Sequence, residues 1–219
     1  MTETEPRQTS PWAANPMAQK LIEHFLGLKG RHIIAIAGAP GSGKSTLSEY
    51  LEAALNQRNP GSAGIVPMDG FHFDDAVLHA RGIHARKGAP FTFDVGGMAA
   101  LLRRLKENTE DDIAVPVFDR GLEISRAGGR LIAQDTPLLL VEGNYLLLDQ
   151  HPWTALRPFF DLTVFLRVPV AELERRLVQR WIDHGLDPAA ARKRAHDNDL
   201  ENATLIEGNS APADFTLTD

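Results

Sequence analysis

The stretch "IIAIAGAPGSGKSTLSEYL" (Ile33–Leu51) decides the fold. An apolar run of strand length comes first, and a helical pattern with Leu47, Tyr50, Leu51 and Leu55 on one face comes last. Between them lies "GAPGSGKS": Gly38, Ala39, Pro40, Gly41, Ser42, Gly43, Lys44 and Ser45. The glycines allow the dihedrals and the close approach that a phosphate needs from converging backbone N–H groups. The helix that follows adds free N–H groups and a positive dipole end. Lys44 is then expected to reach the β- and γ-phosphates and the Ser45 hydroxyl to ligate Mg²⁺; Thr46 either faces the phosphates or is an ordinary helix-start residue. A glycine-rich turn with an exposed lysine is the bland alternative. Matching the four fixed positions by chance is expected in about one chain in a hundred of this length, so nucleotide binding is favoured.

Working outward, apolar strand patterns alternate with helical ones. "MAQKLIEHFLGL" predicts a helix ahead of the glycine loop, and "AGIVPMD" a strand ending in an acid. "DVGGMAALLRRLKEN" predicts a helix beyond its glycines, and "DIAVPVFDR" an extended segment whose Pro116 argues against a central ladder position. "PLLLVEGNYLLL" and "LTVFLRV" read as buried strands, "VAELERRLVQRWIDHG" as an amphipathic helix stopped near Gly185, and "ADFTLT" as an edge strand. Asp187 is placed as an N-cap with Pro188 at the first helical position, opening two helices with a bend. Such alternation predicts an α/β fold with a mainly parallel sheet. Residues 1–15 are expected to be flexible, and residues 16–219 to form a single domain with a lid within about 175–198.

Composition narrows the function. A net charge of −6 over 219 residues argues against a nucleic-acid binder. No cysteine is present, which excludes disulfides and thiol catalysis. No apolar run has the length of a membrane helix, and "MTETEPRQTSPWAANP" lacks the features of a secretory signal, so a cytoplasmic location is expected, without a membrane partner. No "NKxD" or "LSGGQ" segment appears, which disfavours a GTPase and a transporter ATPase.

Three further clusters carry chemistry. In "VPMDGFHFDD", Asp69 closes the second predicted strand, where ligand crevices form in open α/β sheets. It could take a proton from an attacking hydroxyl; the alternative is an ordinary Asp-Gly turn. His72 is a candidate substrate contact or a packing residue. In "LLLVEGNYLLLD", Glu142 follows four apolar residues and could hold Mg²⁺ directly or through water; otherwise it merely ends a strand. Arg176 and Arg180 share a helix face with Arg175 nearby and Arg192 and Arg194 beyond, either as a cationic lid or as a solvated face paired with Glu172 and Glu174.

Together "GAPGSGKST", "MDGFH", "RKGAPFTFD", "VPVFDRGLEISRAG", "VEGNYLLLD" and "NDLENA" resemble the uridine kinase, phosphoribulokinase and bacterial pantothenate kinase family, and within it the bacterial fructose transport system kinases. The resemblance runs from about Arg31 to Ile206. It implies a P-loop NTPase fold, a three-layer α/β/α sandwich with a helical lid. It also implies ATP and Mg²⁺, with a small-molecule hydroxyl acceptor such as a sugar, a nucleoside or a pantothenate-like compound. Asp69 would be the catalytic base and Glu142 the Mg²⁺ assistant. Arg86, Asp119 and Arg120 would lie in segments lining the acceptor pocket, and Asn198, Asp199 and Asn202 near the adenine. Asp74, Asp94 and Asp119 are the other base candidates. A homodimer remains open, as does a nucleotide-binding regulator without acceptor chemistry.

Overall fold

The computed structural model describes residues 10–218. In chain order α1 (Pro16–Leu26) precedes β1 (His32–Gly38), α2 (Lys44–Arg58) and β2 (Ala63–Pro67). Then come α3 (Asp75–Ala80), α4 (Val95–Glu107), β3 (Asp112–Asp119), β4 (Ile124–Ala133) and β5 (Leu138–Gly143). The chain ends with β6 (Leu162–Arg167), α5 (Val170–Asp183), α6 (Pro188–Arg194), α7 (Glu201–Asn209) and β7 (Phe215–Thr218).

Five strands form one parallel sheet in the order β2-β5-β1-β6-β7, with β1 at its centre. Strand side chains point alternately to the two faces, and both faces are covered. Ile34, Ile36 and Leu140 pack with Leu21 and Phe25 of α1 and Leu47, Leu51 and Leu55 of α2. Ile33, Ala35, Leu139 and Val141 pack with Leu102 and Leu105 of α4 and with Trp153. Burial on both sides explains why these strands read as unbroken apolar runs. The edge position of β7 is as expected from the sequence.

The structure also departs from the expectations. Pro67 ends β2, so Asp69 is not on the strand but in a short 3-10 turn, Met68–Phe71, just past it. Helix α4 begins at Val95 and includes both glycines, because Asp94 caps it by accepting from the Gly97 amide at 2.8 Å. Strand β4 carries no sequence signature: its residues are mostly exposed, without apolar alternation. It pairs only with β3, in a separate antiparallel hairpin bulged at Pro116. A Cβ at Gly70 would overlap the Pro116 carbonyl, so the hairpin rests directly on the Asp69 turn. The bend after α6 is a π-helical stretch, Ala195–Leu200, and Asp187 caps α6 as expected, accepting from the Ala189 and Ala190 amides.

Residues 1–9 of the segment expected to be flexible lie outside the described residues. Beyond them the chain is packed: Pro11–Ala14 form a 3-10 turn with Trp12 buried in the core.

Candidate active site

The glycine loop leaves the carboxyl end of β1 and enters α2. Gly41 (φ 78°) and Gly43 (φ 89°) adopt left-handed conformations that other residues rarely take. A Cβ at Gly38 would stand 2.8 Å from both the Leu166 carbonyl and Ser42 Oγ, so this position must be glycine to lie against β6. Ala39 and Ser42 are buried beneath the loop, and Ser42 Oγ has no partner among the described residues.

Glu142 is the next-to-last residue of β5, in register with Ile36 of β1 and Pro67 of β2. The Ser45 hydroxyl donates to Glu142 Oε2 at 3.2 Å. Glu142 is only 7% exposed. Burial, and then the Asp69 charge, push its pKa above the ordinary glutamate range, while Lys44, the Ser45 hydroxyl and Arg120 act the other way. Lys44 is half-buried; loss of hydration pulls its pKa down, opposed by Glu142 and Asp69.

Across the cavity, Asp69 Oδ2 accepts from Arg120 Nη2 at 2.9 Å. Arg120 sits in the turn between β3 and β4. His72 donates through Nδ1 to the Asp69 carbonyl at 2.8 Å. Its ring lies 4.0 Å from that of Phe93 and 4.7 Å from that of Phe118. Burial lowers the His72 pKa, which favours the neutral ring.

Lys44, Ser45, Asp69, His72 and Arg120 face one cavity of about 340 Å³. Of the residues singled out from sequence, Pro40, Gly41, Gly43, Lys44, Ser45, Thr46, Asp69, His72, Arg120 and Arg180 line it, together with Asn198, Asp199 and Asn202. Arg86, Asp119, Glu142 and Arg176 are not among its lining residues. Arg86 binds Asn198 Oδ1 at 3.1 Å and Glu201 at 2.8 Å. Asp119 accepts from the Gly121 and Leu122 amides and pairs with Arg126, which fixes the hairpin turn. Arg176 binds Glu172 at 2.7 Å and the Gly41 carbonyl at 3.4 Å, so it braces the glycine loop from behind. The solvated-face alternative holds for Arg175, which also pairs with Glu172.

Sequence reasoning missed Lys87, which lines the cavity where Arg86 does not. Its ammonium binds Asp75 at 2.8 Å and the Glu123 carbonyl at 2.7 Å. In "ARKG" nothing local tells which of two adjacent cations turns inward, because Arg86 is drawn aside by partners far along the chain, Asn198 and Glu201. Trp181 lines the cavity too, as does Arg194, one of the arginines singled out from sequence, its guanidinium 5.2 Å from the indole ring. Trp181 Nε1 donates to Asp199 Oδ2 at 2.7 Å.

The donor set suits Mg²⁺. A hydroxyl and a carboxylate supply hard oxygen ligands beside a phosphate-binding loop, and Mg²⁺ takes few protein ligands, the rest coming from phosphates and water. Among the described residues, no group of three acidic, histidine or cysteine side chains could hold a metal ion. Nor is any described helix long and apolar enough to cross a membrane.

A parallel sheet whose central strand opens into GxxxxGK[ST] and a helix, with an acid on the neighbouring strand, defines a P-loop nucleotide-binding fold. Residues 34–185 match a family described as AAA domain. The crystal structure of a putative fructose transport system kinase from Silicibacter sp. TM1040 is 46% identical, with a TM-score of 0.83, covering 92% of this chain and 97% of that one. A putative uridine kinase of Schizosaccharomyces pombe is 32% identical over 207 residues, 91% of this chain and 86% of its own length. A pantothenate kinase of Bradyrhizobium sp. (strain ORS 278) is 30% identical over 75% of this chain and 56% of its own length. The chain belongs to this P-loop kinase family, among relatives named uridine kinase and pantothenate kinase. Such relatives support a phosphotransferase activity.

Proposed function

We propose that the protein is an ATP-dependent kinase that transfers the γ-phosphoryl group to a hydroxyl of a small polar metabolite, with a sugar such as fructose as the first candidate. The observation that carries this is the placement of Asp69 opposite Lys44 and Ser45 in one cavity. A nucleotide-binding regulator has no need of a carboxylate in the cavity that its phosphate loop opens into.

The backbone of Gly38–Thr46 binds the phosphates, and Lys44 places a desolvated ammonium among them. Ser45 and Glu142 would hold Mg²⁺, which when bound neutralises phosphate charge. Arg180 is carried into the cavity by α5 and faces the developing charge; Arg176 keeps the loop in place. Asp69 accepts the proton of the acceptor hydroxyl as its oxygen bonds to the γ-phosphorus and the bond to ADP breaks. Lys87 and Arg120 form the acceptor wall, with His72 held between two phenyl rings. Closing α5 and α6 over the cavity would exclude water and prevent hydrolysis.

The sugar candidate takes support from the name of the Silicibacter relative. A nucleoside acceptor has its own support: Phe118, half-buried, lines the cavity with an aromatic ring. ADP release with separate pools of sugars, nucleosides and pantothenate-like alcohols tests the proposal and separates the two. Lys44→Ala serves as the blank, with activity expected to fall by about a thousandfold. Release that no pool stimulates, or that survives in Lys44→Ala, would refute the kinase assignment.

A further inference from the structure

The π-helical stretch Ala195–Leu200 joins two walls of the cavity. Such a stretch widens a helix and is frequent at functional sites. Here it sends two adjacent side chains to different partners. Asn198, 4% exposed, accepts from Arg86 Nε at 3.1 Å and donates to the Lys87 carbonyl at 3.0 Å. Asp199 accepts from Trp181 of α5 at 2.7 Å. Arg86 is held a second time by Glu201, at the start of α7. On its far side the Arg86–Gly88 loop is fixed by Tyr145, whose hydroxyl donates to the Gly88 carbonyl at 2.6 Å.

Helix α5 in turn touches the phosphate loop, through Arg176 and the Gly41 carbonyl. A contiguous chain of contacts therefore runs from the glycine loop through α5, Trp181, Asp199 and Asn198 to the loop that presents Lys87. Both halves of the Asn198 amide are buried and partnered. A shift of α5 that carried the Ala195–Leu200 turn along through the Trp181–Asp199 bond, but not the Lys87 loop, would strand the Asn198 bonds, which a buried amide tolerates poorly.

Resting on the kinase proposal above, we infer that the Ala195–Leu200 turn mechanically links the nucleotide and acceptor halves of the site. Asn198 is its positioning residue. It carries nucleotide-driven movement of α5 into the Arg86–Gly88 loop, so that Lys87 is set against the acceptor when nucleotide is bound.

Amide hydrogen exchange of the full chain, without and with saturating Mg·AMPPNP, tests this. In the wild type, exchange should slow at the glycine loop, at α5 and also across residues 84–92, the last by about tenfold. In Asn198→Ala the first two effects should persist while the third falls below about twofold. Arg86→Met, which removes the same link from a half-exposed side chain, should behave alike and stands in if Asn198→Ala fails to fold. If Asn198 were merely structural, the loop would loosen equally with and without nucleotide and the tenfold ratio would survive, which overturns the link. Unchanged wild-type exchange across 84–92, with slowing at the glycine loop intact, also overturns it. No slowing at the glycine loop itself would overturn the nucleotide proposal as well.

Discussion

Arg120 Nη2 stands 2.9 Å from Asp69 Oδ2, joining the β3–β4 turn to the turn after β2. The guanidinium side chain is 54% exposed and the carboxylate 25%. A pair so open to water contributes about 1 kcal/mol or less, so Asp69 is held by a partner that an acceptor can displace. Asp69→Asn should therefore fold with little loss of stability and bind ATP normally. Phosphoryl transfer should drop by about a hundredfold to ten-thousandfold if Asp69 is the base. Nucleotide titration paired with a product assay checks both. Transfer at the wild-type rate would reassign the base, yet Asp74, Asp94 and Asp119 already accept backbone hydrogen bonds as caps of two helices and a turn.

Glu142 gives a prediction about pH and metal together. Its pKa is raised in the fold, chiefly by burial. A raised value means the folded protein holds the proton to higher pH than the unfolded chain. The associated stability is present below the unfolded value and is lost as pH rises through the folded one. Mg²⁺ binding needs the ionised form, so the wild type should require more Mg²⁺ as pH falls toward that raised value. Glu142→Gln should require about tenfold to a hundredfold more Mg²⁺ at pH 8, with little further change on acidification. Mg²⁺ titrations of ADP release at several pH values measure this, and identical titrations for the two proteins would leave Glu142 a structural strand end.

His72 shifts the other way. Its pKa is lowered, mainly by burial. The stability that its neutral form contributes is present above the unfolded value, about 6.5, and is lost as pH falls through the range below it. His72→Phe keeps an aromatic ring between Phe93 and Phe118 while removing the proton site. The drop in melting temperature between pH 7.5 and 5.5 should be smaller in this variant than in the wild type. An equal drop would place the acid sensitivity elsewhere.

Trp12 lies outside the family's motifs, yet its ring stands 3.7 Å from where a Cβ on Gly43 would be. Only 5% exposed, it packs with α1 and α2 beneath the phosphate loop. Trp12→Ala should destabilise the protein by about 3–5 kcal/mol, the usual range for emptying a large aromatic site, and weaken ATP binding through the loosened loop. Thermal melts and nucleotide titration check the two effects. An unchanged melting temperature would mean that this N-terminal turn does not belong to the core.

The sequence by itself determined the layers and the phosphate cradle. Strands buried on both faces must read as continuous apolar runs, as Ile33–Ala37 and Leu138–Val141 do. A left-handed loop that approaches phosphate must carry glycines in fixed positions, as Gly41 and Gly43 do. Asp69 and Glu142 were legible for the same reason, since acids at the carboxyl ends of parallel strands converge wherever those strands neighbour each other. Tertiary structure alone decided the rest. Strand β4 has few buried residues and leaves no periodic trace, so its hairpin, and with it the placement of Arg120 beside Asp69, depends on contact with the Gly70 turn. Which of Arg86 and Lys87 turns into the cavity was set by a distant partner, Asn198, 112 residues away from Arg86 in the chain. Hydrogen bonds between segments so far apart depend on how the elements pack, and local sequence spacing carries no record of that.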